Sequence, residues 1–145
     1  MRYGENCRFI KLDLNTFGSE PYLIAIGNHV TIASGVKFVT HDGGVWVVRD
    51  KHPKLDVIAK VTIGNNVFIG MNSIIMPGVV IGDNCIIGAG SVVTKNVPDN
   101  KVFAGVPAKK IRDLNEYEEK VLRIGVNTKG LSYSEKKKFM LHHLT

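Results

Sequence analysis

The chain has 145 residues, room for one domain and a small appendage, and a formal net charge of +6. No apolar run approaches the ~18 residues of a membrane span, and the opening MRYGENCRF lacks a signal-peptide core, so a cytoplasmic protein without a transmembrane segment is expected. Much of the basic charge gathers at Lys109, Lys110 and Lys136 to Lys138, without the aromatic–basic interleaving of a nucleic-acid module, and no nucleic-acid partner is expected.

In chain order, residues 1–22 read as a degenerate first coil. Tyr3, Gly4 and Cys7 form one six-residue unit, Phe9 opens the next, and LDLNTFGSEPYL then breaks the register. The unit returns at Ile26-Gly27, Ile32-Ala33 and Phe38, with Val30 and Val36 at companion positions. An interruption over residues 40–60, THDGGVWVVRDKHPKLDVIAK, follows. Phe38 to Ile63 is 25 residues, one more than four units, so the chain leaves the repeat, makes a loop and rejoins. Such insertions project on one side and carry function.

From Ile63 onward the period is unbroken. Ile63, Ile69, Ile75, Ile81, Ile87 and Val93 recur every six residues; Gly64, Gly70, Gly82 and Gly88 follow four of them. Four places after each apolar residue stands a small or β-branched one: Val67, Ser73, Val79, Cys85, Ser91 and Val97. That period fits neither an amphipathic helix nor an alternating strand, and predicts an all-β parallel β-helix. Each unit makes one flat side of a triangular coil, with the apolar residue pointing into the axis. Gly and Asn serve the corners, where φ is positive and a Cβ is costly. About five coils stacked at ~4.8 Å make a prism on the order of 25 Å tall. Both cysteines, Cys7 and Cys85, occupy small core positions and are not expected to form a disulfide or a metal pair.

Beyond Lys110 the pattern turns helical. IRDLNEYEEKVLRIG offers Leu114, Tyr117, Val121, Leu122 and Ile124 as an apolar side and Gly125 as a stop. Ser132 and Glu135 have the spacing of a capping box ahead of KKKFMLHHL, a second helix reaching Leu144. Its lysines form a solvated face, and His142 and His143 are surface residues. The division is therefore 1–112, β-helix with the inserted loop, and 113–145, a helical extension.

IGNNVFIGMNSIIMPGVVIGDNCIIGAGSVVTKNVP followed by AGVPAKKI resembles the hexapeptide-repeat acyltransferases of the galactoside, maltose and serine O-acetyltransferase branch. FGSEPYLIAIG and FVTHDGGVW share the look of small sugar acetyltransferases of capsule and surface-polysaccharide pathways. The resemblance spans roughly residues 3–113. It implies a left-handed coil, a homotrimer with active sites between neighbouring prisms, acetyl-CoA as acyl donor without a metal, and a sugar-like hydroxyl acceptor.

Acetyl transfer to a hydroxyl needs a base, and histidine is neutral enough at cytoplasmic pH, its unperturbed pKa being about 6.5. Five histidines are available. His29 lies in a corner that faces solvent, His52 stands beside Pro53 in the loop, and His142 and His143 are near the terminus. His41 stands where the third regular unit gives way to the insertion, anchored by the coil yet open to the groove, and it matches the family's catalytic histidine within FVTHDGG. Asp42 is a second acceptor-site candidate that could orient an imidazole. Trp46 either stacks on a sugar face or packs the loop onto the prism. By resemblance, pantetheine runs past Gly70, Gly88, Ala89 and Gly90; Thr94 and Lys95 lie near the nucleotide, and Pro107 and Lys109 at its far end. For Gly70 and Gly88 the repeat demands glycine in any case. No GxxxxGK[ST] loop supports an ATP-type phosphate cradle.

Three other readings use the same scaffold. An amino-sugar N-acetyltransferase would share donor site and base. A γ-class carbonic anhydrase needs three metal-binding histidines, two of them close in sequence, and no second histidine lies near His41 on the repeat. A scaffold without activity would leave the His41 loop and AGVPAKK without a purpose.

Overall fold

The computed structural model describes residues 1–143. Thirteen short strands fall into three sheets, the sides of a triangular parallel β-helix. The first side stacks β1 (Arg2–Tyr3), β3 (Ile24–Ile26), β6 (Val61–Ile63) and β9 (Val80–Ile81). The second stacks β2 (Arg8–Phe9), β4 (Thr31–Ile32), β7 (Phe68–Ile69), β10 (Ile86–Ile87) and β12 (Lys101–Gly105), giving five levels. The third stacks β5 (Lys37–Phe38), β8 (Ile74–Ile75) and β11 (Val92–Val93).

The six-residue period is the core. Ile63, Ile69, Ile75, Ile81, Ile87 and Val93 are all buried, as are the companions Val67, Ser73, Val79, Cys85, Ser91 and Val97. Register is set by stacking like on like: Ile75 pairs with Phe38 on one side and Val93 on the other, and Ile69 lies between Ile32 and Ile87.

The corners divide the labour differently from the sequence expectation. The glycines after the isoleucines do not occupy the left-handed region. They are required by close approach of successive coils: a Cβ on Gly70 would lie 2.5 Å from the Ala89 amide nitrogen, and one on Gly64 2.8 Å from the Gly82 carbonyl oxygen. Positive φ falls two residues later, at Asn66, Asn72 and Asn84, where the asparagine side chain tolerates it. A ladder of carboxamides and carboxylates locks one edge: Asn28, Asn65, Asp83 and Asp99 each accept, through Oδ1, a backbone N–H of the preceding coil. Unpaired backbone donors at the corners are thereby satisfied.

The register break after Phe9 has a structural use. Residues 12–20 form no strand but fill the missing third side of the first coil. Phe38 donates its N–H to the Thr16 carbonyl at 2.8 Å, and the Phe17 ring stacks on Phe38 with centroids 5.5 Å apart.

The prism ends in an antiparallel hairpin, β12 with β13 (Ala108–Asp113), followed by α1 (Leu114–Ile124) and α2 (Tyr133–His143). Ile111 to Asp113, read from sequence as helix, are strand, because β12 offers them a ladder partner. Leu114, Tyr117 and Val121 are half-buried, but Leu122 and Ile124, assigned to the same apolar side, are 77% and 64% exposed. The capping box of α2 forms: Ser132 N–H donates to Glu135 Oε2 at 2.8 Å, and Glu135 N–H to Ser132 Oγ at 3.3 Å. Lys136 to Lys138, His142 and His143 are exposed, and the expected continuation to Leu144 lies outside the described residues. Among the described residues no helix is long and apolar enough to cross a membrane. Cys7 and Cys85 are free thiols, and burial pushes the Cys85 thiol up from its ordinary pKa.

Asp113 joins hairpin to helix. Its carboxylate meets the ammonium groups of Lys101 and Lys110, its N–H donates to Glu116 Oε2 at 2.7 Å, and the two lysines hold its pKa below the usual carboxylate range. A lowered folded-state pKa means the tie is present above the ordinary value of about 4 and is lost as pH falls through the lowered one. Acidification should therefore loosen α1 before the coil core. In a two-dimensional amide spectrum, Leu114 to Ile124 should shift at lower acidity than Ile63 to Val93, and Asp113→Asn should abolish the difference.

Candidate active site

His41 sits where the third side of the coil leaves the prism. The neck of the insertion is a short antiparallel pairing: His41 bridges Ile58, Asp42 N–H donates to Val57 O at 2.9 Å, and Ala59 N–H to Thr40 O at 2.8 Å. This pairing anchors the loop to the solenoid and fixes the backbone on both sides of the imidazole. Within the loop, Gly43–Val48 forms a 3-10 helix whose start is capped by Asp42, which accepts Gly44 N–H at 2.8 Å. Val45 is the residue that packs the loop down; Trp46 is 75% exposed.

The imidazole is held by a residue that sequence reasoning passed over. His41 Nδ1 donates to Glu20 Oε2 at 2.9 Å. The side chain of Glu20 is 17% exposed and that of His41 39%, so the carboxylate is shielded while the ring remains reachable. Hydrogen bonds from the Thr40 hydroxyl and then from His41 keep the Glu20 carboxyl below its ordinary range. Asp42, the expected candidate for orienting the ring, is instead committed to the 3-10 cap. Glu20 lies within the quoted FGSEPYL segment, and its place inside the register break was the available signal.

With Nδ1 engaged, Nε2 is the ring nitrogen left to meet a substrate. His41 lines two adjoining cavities. One, of about 390 Å³, is polar and is bounded by Glu20, Asp42, Trp46, Arg49 and Asp56. The other, of about 440 Å³, is more apolar and is bounded by Val39, Val57, Met76, Pro77 and Thr94. Arg49 is held in the loop, its Nε donating to Leu55 O at 3.2 Å and its Nη2 lying 3.5 Å from Asp56 Oδ1.

The remaining predicted residues fall into three places. Thr94 joins His41 in the second cavity, with Lys95 exposed beside it. Gly70, Gly88, Ala89 and Gly90 lie at the corner between the second and third sides. Gly70 is buried, and the N–H groups of Gly70, Gly88 and Gly90 donate to Ile87, Phe103 and Met71 carbonyls, each at 2.8 Å. Ala89 and Gly90 are exposed, and a Cβ on Gly90 would meet nothing within 4 Å. Pro107 and Lys109 belong to the β12–β13 hairpin, which is drawn toward that corner by Gly105 N–H donating to Ser91 Oγ at 3.2 Å. Lys110 is spent on Asp113, whereas Lys95 and Lys109 are exposed and, among the described residues, in no ion pair. His29, by contrast, stands at another corner with Nδ1 donating to Asn66 Oδ1 at 2.8 Å.

The chain was compared with known protein families, curated proteins and solved structures. Residues 60–95 match the family described as bacterial transferase hexapeptide (six repeats). The chain is 62% identical over 142 residues to Protein CapG of Staphylococcus aureus, an alignment covering 98% of this chain and 83% of that protein. It is 40% identical over 120 residues to galactoside O-acetyltransferase of Escherichia coli K12, covering 81% of this chain and 59% of the relative. Among solved structures, the hexapeptide-repeat acetyltransferase VCA0836 of Vibrio cholerae complexed with acetyl coenzyme A superposes with a TM-score of 0.58 at 25% identity, covering 79% of this chain and 67% of that one. Repeat, fold and extended identity together place the chain in the hexapeptide-repeat acetyltransferase family.

Proposed function

We propose that the protein is an acetyl-CoA-dependent O-acetyltransferase of a sugar or other small hydroxyl acceptor in surface-polysaccharide biosynthesis, with His41 as general base. The observation that carries this is the half-exposed imidazole, tied at Nδ1 to a shielded carboxylate, at the junction of a polar and an apolar cavity.

The acceptor hydroxyl lies in the polar cavity, and its proton passes to His41 Nε2 as its oxygen attacks the thioester carbonyl. The carbon–sulfur bond then breaks, and the imidazolium returns the proton to the departing CoA thiolate, leaving an acetyl ester and free CoA thiol. Glu20 keeps Nδ1 protonated and stabilises the imidazolium by charge. Trp46, exposed in the cavity wall, offers a flat apolar face to a sugar ring. The acyl and pantetheine parts follow the apolar cavity and the exposed backbone at Ala89 and Gly90, while Lys95 and Lys109 meet the CoA phosphates. A second and third copy of the chain supply the outer wall that a flat-sided prism lacks, which makes the working unit a homotrimer. Free thiols and acetyl-CoA both belong to a reducing cytoplasm.

A screen of free sugars, methyl glycosides, nucleotide sugars and their amino counterparts with acetyl-CoA, read by thiol release, tests the reading. Thiol release with amines alone would favour N-transfer, and none with any acceptor would reject the proposal. Lys95→Ala and Lys109→Ala should each raise KM for acetyl-CoA about tenfold, a loss of ~1.4 kcal/mol, with kcat nearly unchanged. The penalty should shrink as salt rises, because these are exposed charges. Lys136→Ala, on α2, should leave KM where it was.

A further inference from the structure

Behind His41, the proposed base, stands Thr40, whose role rests on that assignment. Thr40 is 1% exposed, one of few buried polar side chains in a core otherwise built of Ile, Val and Phe. Its hydroxyl donates to Glu20 Oε2 at 2.6 Å, and that same oxygen accepts His41 Nδ1–H at 2.9 Å. One carboxylate oxygen is thus shared by two consecutive residues, one turned inward and one facing the cavities. A buried hydroxyl could have been satisfied by a neighbouring carbonyl, as Ser73 and Ser91 are by Gly88 O. Here it is aimed at the group that holds the imidazole.

The surroundings make this arrangement rigid. The segment that brings in Glu20 is clamped to the strand before Thr40 by the Phe38 N–H to Thr16 O bond and the Phe17–Phe38 stack. Gly18, at φ +62°, lies between them, and a Cβ there would sit 3.0 Å from Phe38 O and 3.9 Å from Thr40 Oγ1. Glycine lets the segment pass so close without strain. The charged groups lining the polar cavity beside the imidazole are Glu20, Asp42, Arg49 and Asp56; of these Glu20 is hydrogen-bonded to it, and Asp42 and Arg49 are bound within the loop. Glu20 therefore sets the ring's orientation, and Thr40 sets Glu20's.

We infer that Thr40 is a positioning residue of the acetyl-transfer site, fixing the Glu20 carboxylate so that His41 presents Nε2 to the acceptor hydroxyl. A charge-assisted hydrogen bond of this kind is strong and directional, and its loss should appear in orientation before it appears in folding.

The test compares Thr40→Val, which keeps the shape and removes the donor, with Thr40→Ser, which restores it. Turnover is measured with acetyl-CoA and the acceptor of fastest thiol release in the screen above, and the Glu20 carboxyl is titrated by carbon-13 NMR without acceptor. Thr40→Val should lower kcat about tenfold, leave KM for acetyl-CoA unchanged, and move the Glu20 titration up toward the ordinary value of about 4.3. Thr40→Ser should restore both kcat and the Glu20 titration, which mere cavity repair would not. A Thr40→Val enzyme with normal kcat and an unmoved Glu20 titration overturns the inference, and if His41→Ala is inactive in the same assay the base assignment survives. An active His41→Ala removes the base and this inference together. Should Thr40→Val not fold, a wild-type Glu20 that titrates at the ordinary carboxylate value is enough to reject it.

Discussion

Replacing His41 by alanine should slow acetyl transfer by ~10²–10⁴-fold, the usual worth of a positioned base, while leaving the fold and acetyl-CoA affinity nearly intact. The separation follows from where the residue stands. Its backbone is pinned by the bridge to Ile58, which does not depend on the side chain, and its ring contributes nothing to the isoleucine core. Among the described residues the ring's one hydrogen bond is to Glu20, which keeps Thr40 as a partner after truncation. A suitable control is His29→Asn rather than His29→Ala. His29 has φ +55°, a conformation that asparagine holds at the equivalent Asn66 and Asn84, whereas alanine would add backbone strain. His29→Asn should keep full turnover. The comparison is read by thiol release beside acetyl-CoA binding in both variants. Normal turnover in His41→Ala, or loss caused only by failure to assemble, would refute the assignment.

The largest effect on stability is expected from Ile75→Ala. Ile75 is fully buried in the third side, the shortest stack, directly between Phe38 below and Val93 above. Close-packed coils cannot collapse into the gap, since backbone spacing is held by the sheet ladders, so both transfer and cavity terms apply. The loss should be ~2–5 kcal/mol, a large part of a typical total of about 5–15 kcal/mol. Val80→Ala, on the outer face of the first side and 43% exposed, should cost less than ~1 kcal/mol. Urea unfolding at one fixed protein concentration measures both; equal, small losses would contradict the stacked-core account.

The coil itself was legible residue by residue. A solenoid repeats the same local environment at every level, so Ile63 to Val93 report their burial through period alone, with no knowledge of distant partners. The same logic exposed the insertion, because a broken count is visible in one dimension, and with it the position of His41 at the break. What the repeat could not carry is what escapes translational symmetry. Glu20 belongs to an out-of-register segment, and only the folding of residues 12–20 against Phe38 brings its carboxylate to an imidazole 21 positions later. Asp42 is adjacent to His41 in sequence, yet the turn into the 3-10 helix sends its side chain to Gly44. Leu122 and Ile124 have the spacing of a buried stripe but, among the described residues, no surface opposite them. The period of the sequence by itself determined the prism and the place where its chain departs; contacts between segments of unlike register decided which carboxylate meets the histidine, because such contacts depend on three-dimensional closure and leave no period to read.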